Sequence, residues 1–74
     1  MPSIRKTFGF AVRKHRYKLG LSQERLAELA DIHRTYISSV ELGKVVVGID
    51  VAYKLAKALG TSLQRLIAEA EKSC

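Results

Sequence analysis

Apolar residues along this chain recur at three- and four-residue spacing, in blocks closed by glycine or by short polar breaks. That pattern predicts five helices and no strands. The first helix should cover about residues 4–19, opened by Pro2 and Ser3, with Ser3 as candidate cap. Ile4, Phe8, Val12, His15 and Leu19 share its inner side, and Gly20 ends it. His15 on that side reads as a tolerated, partly buried histidine. Gly9 in mid-helix costs about 1 kcal/mol against alanine, so it implies close packing against a neighbour or a fraying first turn. Phe10 and Tyr17 fall off the core side. The second helix should span about 23–30. Ser22 caps it, and Leu26, Leu29 and Ala30 form its apolar side with Ala27 beside them. Asp31, Ile32 and His33 break the pattern. The third helix begins at Arg34, turns Ile37 and Val40 inward, and stops before Gly43.

Val45, Val46, Val47 and Gly48 then make an apolar loop with no second strand to pair with. Such a loop is either tucked beneath the helices or covered by a partner chain, and the partner is the preferred reading. The fourth helix, about 49–59, has Asp50 in its first turn, where the helix dipole favours a negative charge. Val51, Leu55, Ala58 and Leu59 point inward, with Ala52 and Ala56 alongside, and Gly60 ends it. Ser62 caps the fifth helix, about 63–71, whose apolar face is Leu63, Leu66, Ile67 and Ala70. The tail from Glu71 to Cys74 is expected to fray.

The outer face of the third helix breaks an ordinary rule. A solvated helix face usually carries Glu and Lys, which are good helix formers. Here it carries Arg34, Thr35, Ser38 and Ser39, poor choices for stability and good ones for touching base edges and phosphates. Two short helices joined by a tight turn, with such a face on the second, make a helix-turn-helix suited to the DNA major groove.

Charge strengthens this reading. The 74 residues carry a formal net charge of +6. Arg5, Lys6, Arg13, Lys14, Arg16 and Lys18 stand in the first nineteen residues without an acid among them, and the remainder is neutral. A polyanion is the natural partner of that concentration. A solvated face that merely aids solubility and an anionic membrane surface are the competing readings. No apolar run approaches the ~18 to 20 residues a membrane span requires, and no apolar core follows the basic N-terminus as in a signal peptide. The lone cysteine, Cys74, offers no intrachain disulfide, and two histidines and one cysteine so widely spaced make no zinc site. The expectation is a cytoplasmic, metal-free chain without a cofactor. No carboxylate pair, activated nucleophile or phosphate loop suggests an enzyme. A domain this small often gains stability by associating.

The sequence resembles the Cro and phage-repressor helix-turn-helix family of the XRE type. The resemblance is carried by Arg16, then Gly20-Leu21-Ser22-Gln23, Leu26-Ala27, Tyr36-Ile37-Ser38, and Glu41 with Gly43. It continues through Leu55-Ala56-Lys57-Ala58-Leu59-Gly60 and Ser62-Leu63, about two thirds of the chain. The run Arg34-Thr35-Tyr36-Ile37-Ser38 is also similar to the controller proteins of restriction–modification systems. The resemblance implies a compact all-α, five-helix repressor-like fold. It places Arg34, Thr35, Ser38 and Ser39 at or beside base-reading positions. Ser22, Gln23, Tyr36 and Lys44 fall where phosphates are bound, and Arg16 and Glu41 match a partly buried salt bridge between the first helix and the end of the third. Three positions depart from the pattern: the valines replace polar loop residues, Gly48 replaces a side-chain cap, and His15 stands where an aliphatic residue is usual.

The expected function is a sequence-specific, DNA-binding transcriptional regulator of bacterial or phage origin, associated with the nucleoid. It would bind double-stranded DNA as a homodimer on a pseudo-palindrome, as a restriction–modification controller, with RNA polymerase as a further candidate partner. An antitoxin, a prophage-type repressor, and an interaction module that has lost DNA binding are the alternatives. The dimer surface should lie away from the first helix, on the valine loop and the fifth helix, using Val46, Leu63, Ile67 and Ala70.

Overall fold

The computed structural model describes residues 3–73; the readings of Pro2 and Cys74 lie outside the described residues. The chain folds as α1 (Ile4–Lys18), α2 (Gln23–Ala30), α3 (Arg34–Glu41), α4 (Ile49–Ala58) and α5 (Leu63–Ser73). Among the described residues there is no strand. Three serines start three helices. Ser3 Oγ accepts from Lys6 N at 3.3 Å, Ser22 Oγ from Arg25 N at 3.0 Å, and Ser62 Oγ from Arg65 N at 3.0 Å. Each such cap contributes about 1 kcal/mol. α4 starts at Gly48 without a side-chain cap. α5 continues to Ser73 instead of fraying after Ala70, with Lys72 in its last turn where the helix dipole favours a cation.

Every helix sends at least one fully buried side chain to a common centre: Val12, Leu26, Ile37 with Val40, Leu55, and Leu66. α1 lies against α3 and α5, α2 against α3 and α4, and α4 against α5. The approach of α1 to α3 explains Gly9. A Cβ there would collide with the Val40 carbonyl oxygen and lie 2.8 Å from that of Glu41. Gly43 is constrained twice over: its φ is +70°, and an added Cβ would fall 2.9 Å from Lys6 Cα.

Several apolar positions expected inside lie outside. Leu29 is 47% exposed, because the buried arc of α2 runs through Leu26, Ala27 and Ala30. At about 100° per residue Leu29 sits roughly 60° beyond the edge of that arc, about a sixth of a turn. Ile4 and Leu19 are also exposed. Ile4 opens α1 and Leu19 is its C-cap, so both lie at the helix ends. Val51 and Ala58 are only partly buried, packed at the edge of the core. The valine loop divides its side chains: Val45 and Val47 pack against the core, whereas Val46 is 77% exposed. It is therefore tucked under and left open at once.

His15 faces α5, where its Nε2 meets Glu69 Oε2 at 2.8 Å. The histidine bond chiefly, helped by the charges of His15, Lys14 and Lys18, holds the Glu69 carboxyl below its usual range against a smaller opposing effect of burial. A polar residue on the inner side of α1 is thus satisfied by a partner fifty-four positions away.

Candidate nucleic-acid interface

The turn between α2 and α3 is built from backbone geometry and one unexpected cap. Asp31 adopts the left-handed conformation at φ 56°, which few residues other than glycine and asparagine-like side chains tolerate. Its N–H and that of Ile32 close α2 by donating to Glu28 O at 3.3 Å and Ala27 O at 3.0 Å. His33 then caps α3: its Nδ1 accepts from Thr35 N at 3.3 Å, which requires that nitrogen to be unprotonated. The sequence pattern gave no sign of this cap, because the residues usually found there are Ser, Thr, Asp and Asn.

Ile37 and Val40 are 0% and 1% exposed, so they fix the roll of α3 about its own axis. Arg34 and Thr35 are consequently exposed, while Ser38 and Ser39 are half-buried on the flank. Arg34 borders an open concavity lined also by Glu24, Glu28 and Asp31. Tyr36 is half-buried and packs on the core, and Lys44 is exposed beyond the end of α3.

Beneath this surface lies a polar brace. Arg16 Nε donates to Glu41 Oε2 at 2.7 Å and Arg16 Nη2 to Glu41 Oε1 at 2.9 Å. Arg16 Nη1 donates to Leu21 O at 2.9 Å. The two side chains are only 8% and 3% exposed. The hydrogen bond to Glu41 is the main reason the Arg16 guanidinium is held above its usual pKa, against the opposing pull of burial. Gln23 Nε2 joins the pair, donating to Glu41 Oε1 at 3.1 Å. One carboxylate therefore ties the first helix, the start of α2 and the end of α3. Gln23 stands at the first position of α2, where unpaired N–H groups and the helix dipole favour an anion. Ser22 beside it is exposed, its oxygen committed to the cap.

A second polar unit, absent from the expected site, lies on the adjoining surface of α1. Arg13 Nε and Nη2 donate to the Tyr17 hydroxyl at 3.2 and 3.0 Å. The Arg13 and Arg16 guanidinium carbons lie 5.2 and 4.7 Å from the Tyr17 ring centroid. Tyr17 is lowered from its usual pKa, by the Arg13 hydrogen bond first. Arg13 and Tyr17 share an open concavity with Arg16, Gln23, Ser38, Glu41 and Leu42. The i, i+4 spacing of an arginine and a tyrosine was the available signal.

The residues expected at a dimer surface separate into three environments. Val46 and Ile67 line one apolar groove, together with Ile4, Arg5, Phe8, Val47 and Ala52. The start of α1 thus borders the groove that holds two of the residues expected at a dimer surface. Leu63 is half-buried against the core. Ala70 is a correction: it is 0% exposed, enclosed within its own chain, and presents nothing to a second one. Among the described residues no group of three or more His, Cys, Asp or Glu could hold a metal ion. No described helix is long and apolar enough to cross a membrane.

These features define a helix-turn-helix protein, and residues 11–66 match the helix-turn-helix family model. The chain belongs to that family, in its XRE-type branch. Control protein C.BamHI of Bacillus amyloliquefaciens is 46% identical over 66 residues, which cover 88% of this chain and 82% of that protein. The clp gene regulator ClgR of C. glutamicum superimposes with a TM-score of 0.92 at 30% identity, covering 99% of this chain and 95% of its own. The restriction–modification controller C.Esp1396I, a tetramer in complex with its natural 35 base-pair operator, gives a TM-score of 0.82 at 28% identity. That match covers 96% of this chain and 99% of the controller's.

Proposed function

We propose that this protein is a sequence-specific DNA-binding transcriptional regulator acting as a homodimer, and that it serves as the controller of a restriction–modification system. The observation that carries the reading is the division of α3. Ile37 and Val40 anchor one side in the core, leaving Arg34 and Thr35 outside with Ser38 and Ser39 on the flank. Arg34 supplies a bidentate donor of the kind that recognises guanine, and the hydroxyls suit either base edges or phosphates. Gln23, Ser22, Tyr36 and Lys44 bind the backbone on either side and set the register. Likeness to C.BamHI and to the operator-bound C.Esp1396I supports the controller role.

A dimer places two such helices about 34 Å apart, in successive major grooves of a pseudo-palindrome. The groove around Val46 and Ile67 is the surface through which the second copy docks. The protein acts in the cytoplasm, on the operator DNA, with RNA polymerase as a further partner where it activates. Selection of bound duplexes from a random pool tests this reading. The expected winners carry two inverted half-sites about one helical turn apart; a pool without enrichment overturns the proposal.

A further inference from the structure

We propose that Arg13 and Tyr17 form a phosphate clamp on the outer face of α1, gripping the DNA backbone beside the groove that α3 enters. This deepens, and rests on, the DNA-binding reading above. Tyr17 is 58% exposed. Its oxygen accepts two N–H groups from Arg13, which uses lone pairs and leaves the phenolic proton to be donated outward. Arg13 has five N–H donors, and only two are spent on Tyr17. Its partner is a neutral phenol, so its positive charge is not cancelled, whereas the charge of Arg16 is matched by Glu41.

The stacking of Arg16 on the Tyr17 ring holds the phenol in place. Arg16 is itself fixed by Glu41 and Leu21, so the clamp is preorganised by the same brace that positions Gln23. Position decides the ligand. The concavity that contains Arg13 and Tyr17 also contains Gln23 and Ser38. A charged fork, a hydroxyl and an amide set side by side suit consecutive phosphate oxygens of one strand. An acidic protein segment would be drawn by the same charge, but the only apolar seats the shared concavity offers it are Leu42 and the Tyr17 ring, the latter already stacked with Arg13 and Arg16.

The test uses R13A and Y17F in the whole chain, with a duplex selected by the unaltered protein, and reads affinity against salt concentration. Removing one phosphate contact per half-site should lower the salt slope by about 0.9 per half-site. On a duplex with two half-sites, R13A should thus lose about 12-fold less affinity than the unaltered protein between roughly 50 and 200 mM salt. Its order of preference among sequences should stay unchanged. Y17F keeps the ring on Arg16 and removes only the hydroxyl; about fivefold weaker binding per half-site, at an unchanged slope, is expected from losing one hydrogen bond in each. Thermal melting checks that both variants fold. A folded R13A with the original slope overturns the clamp and leaves this face of α1 to a protein partner. A changed base preference in R13A also overturns it, by making Arg13 a base reader. If the unaltered protein selects no duplex, the proposed function itself fails, and the clamp with it.

Discussion

Around the start of α2, Arg16, Glu41 and Gln23 satisfy one another within the chain; across the groove between α1 and α5, Ile4, Val46 and Ile67 are left to water. The first region joins three helices through one carboxylate and needs no second molecule to hold its shape. The second has apolar side chains 45%, 77% and 36% exposed, and removing them from water requires another surface. The difference separates two tasks. A helix that reads DNA must arrive already oriented, because ordering it on contact would subtract from affinity. A surface that joins two copies can stay open, since burial on association is what drives it.

Breaking the brace should give the largest effect. Glu41→Ala leaves the Arg16 guanidinium buried without its carboxylate and deprives Gln23 of its acceptor. A loss of about 3–5 kcal/mol is expected, because an uncompensated charge remains inside. Chemical denaturation measures it, and a loss below about 1 kcal/mol would assign the pair the slight role of a surface ion pair. Replacing Arg16 and Glu41 together by apolar residues sharpens the point. The double variant should recover much of the stability, since it leaves no orphaned charge.

The open groove answers to a different probe. Ile67→Asp introduces a charge where apolar burial is expected to drive dimerisation. Burying an isoleucine is worth about 1.5–3 kcal/mol, and a twofold dimer would lose it from both copies. Sedimentation should show a folded monomer, because Ile67 is a rim residue in its own chain. A surviving dimer would move the interface elsewhere, for example to Ile49 and Tyr53, exposed apolar side chains on α4.

Element boundaries were legible because serine caps and glycine stops are local signals: Ser3, Ser22 and Ser62 sit one residue before α1, α2 and α5, and Gly20, Gly43 and Gly60 just past the ends of α1, α3 and α4. The inward set of α3 was legible too, since Ile37 and Val40 at three-residue spacing leave little choice of face. What periodicity could not resolve was depth. Ala70 and Ile67 occupy the same apolar stripe, yet one is enclosed and the other reaches the rim. A small side chain fits where helices approach closely, and a large one marks where they diverge. Leu29 and Ala27 show the same inversion on α2. Side-chain hydrogen bonds were the least legible. The His33 cap depends on a ring nitrogen, the Arg13–Tyr17 bond on rotamers, and the His15–Glu69 bond on the docking of α5. The XRE-type resemblance supplied the pairing of Arg16 with Glu41, which spacing alone does not single out.

The central claim is that the start of α3 reads bases through Arg34. It is tested most directly by measuring Arg34→Ala against a panel of duplexes in which each position of the selected half-site is varied. Binding to the preferred duplex should weaken by about 1–3 kcal/mol per half-site, and discrimination should vanish at one position in each half-site while persisting at the others. Uniform weakening across the panel, with every preference retained, would contradict the claim and make Arg34 a phosphate contact.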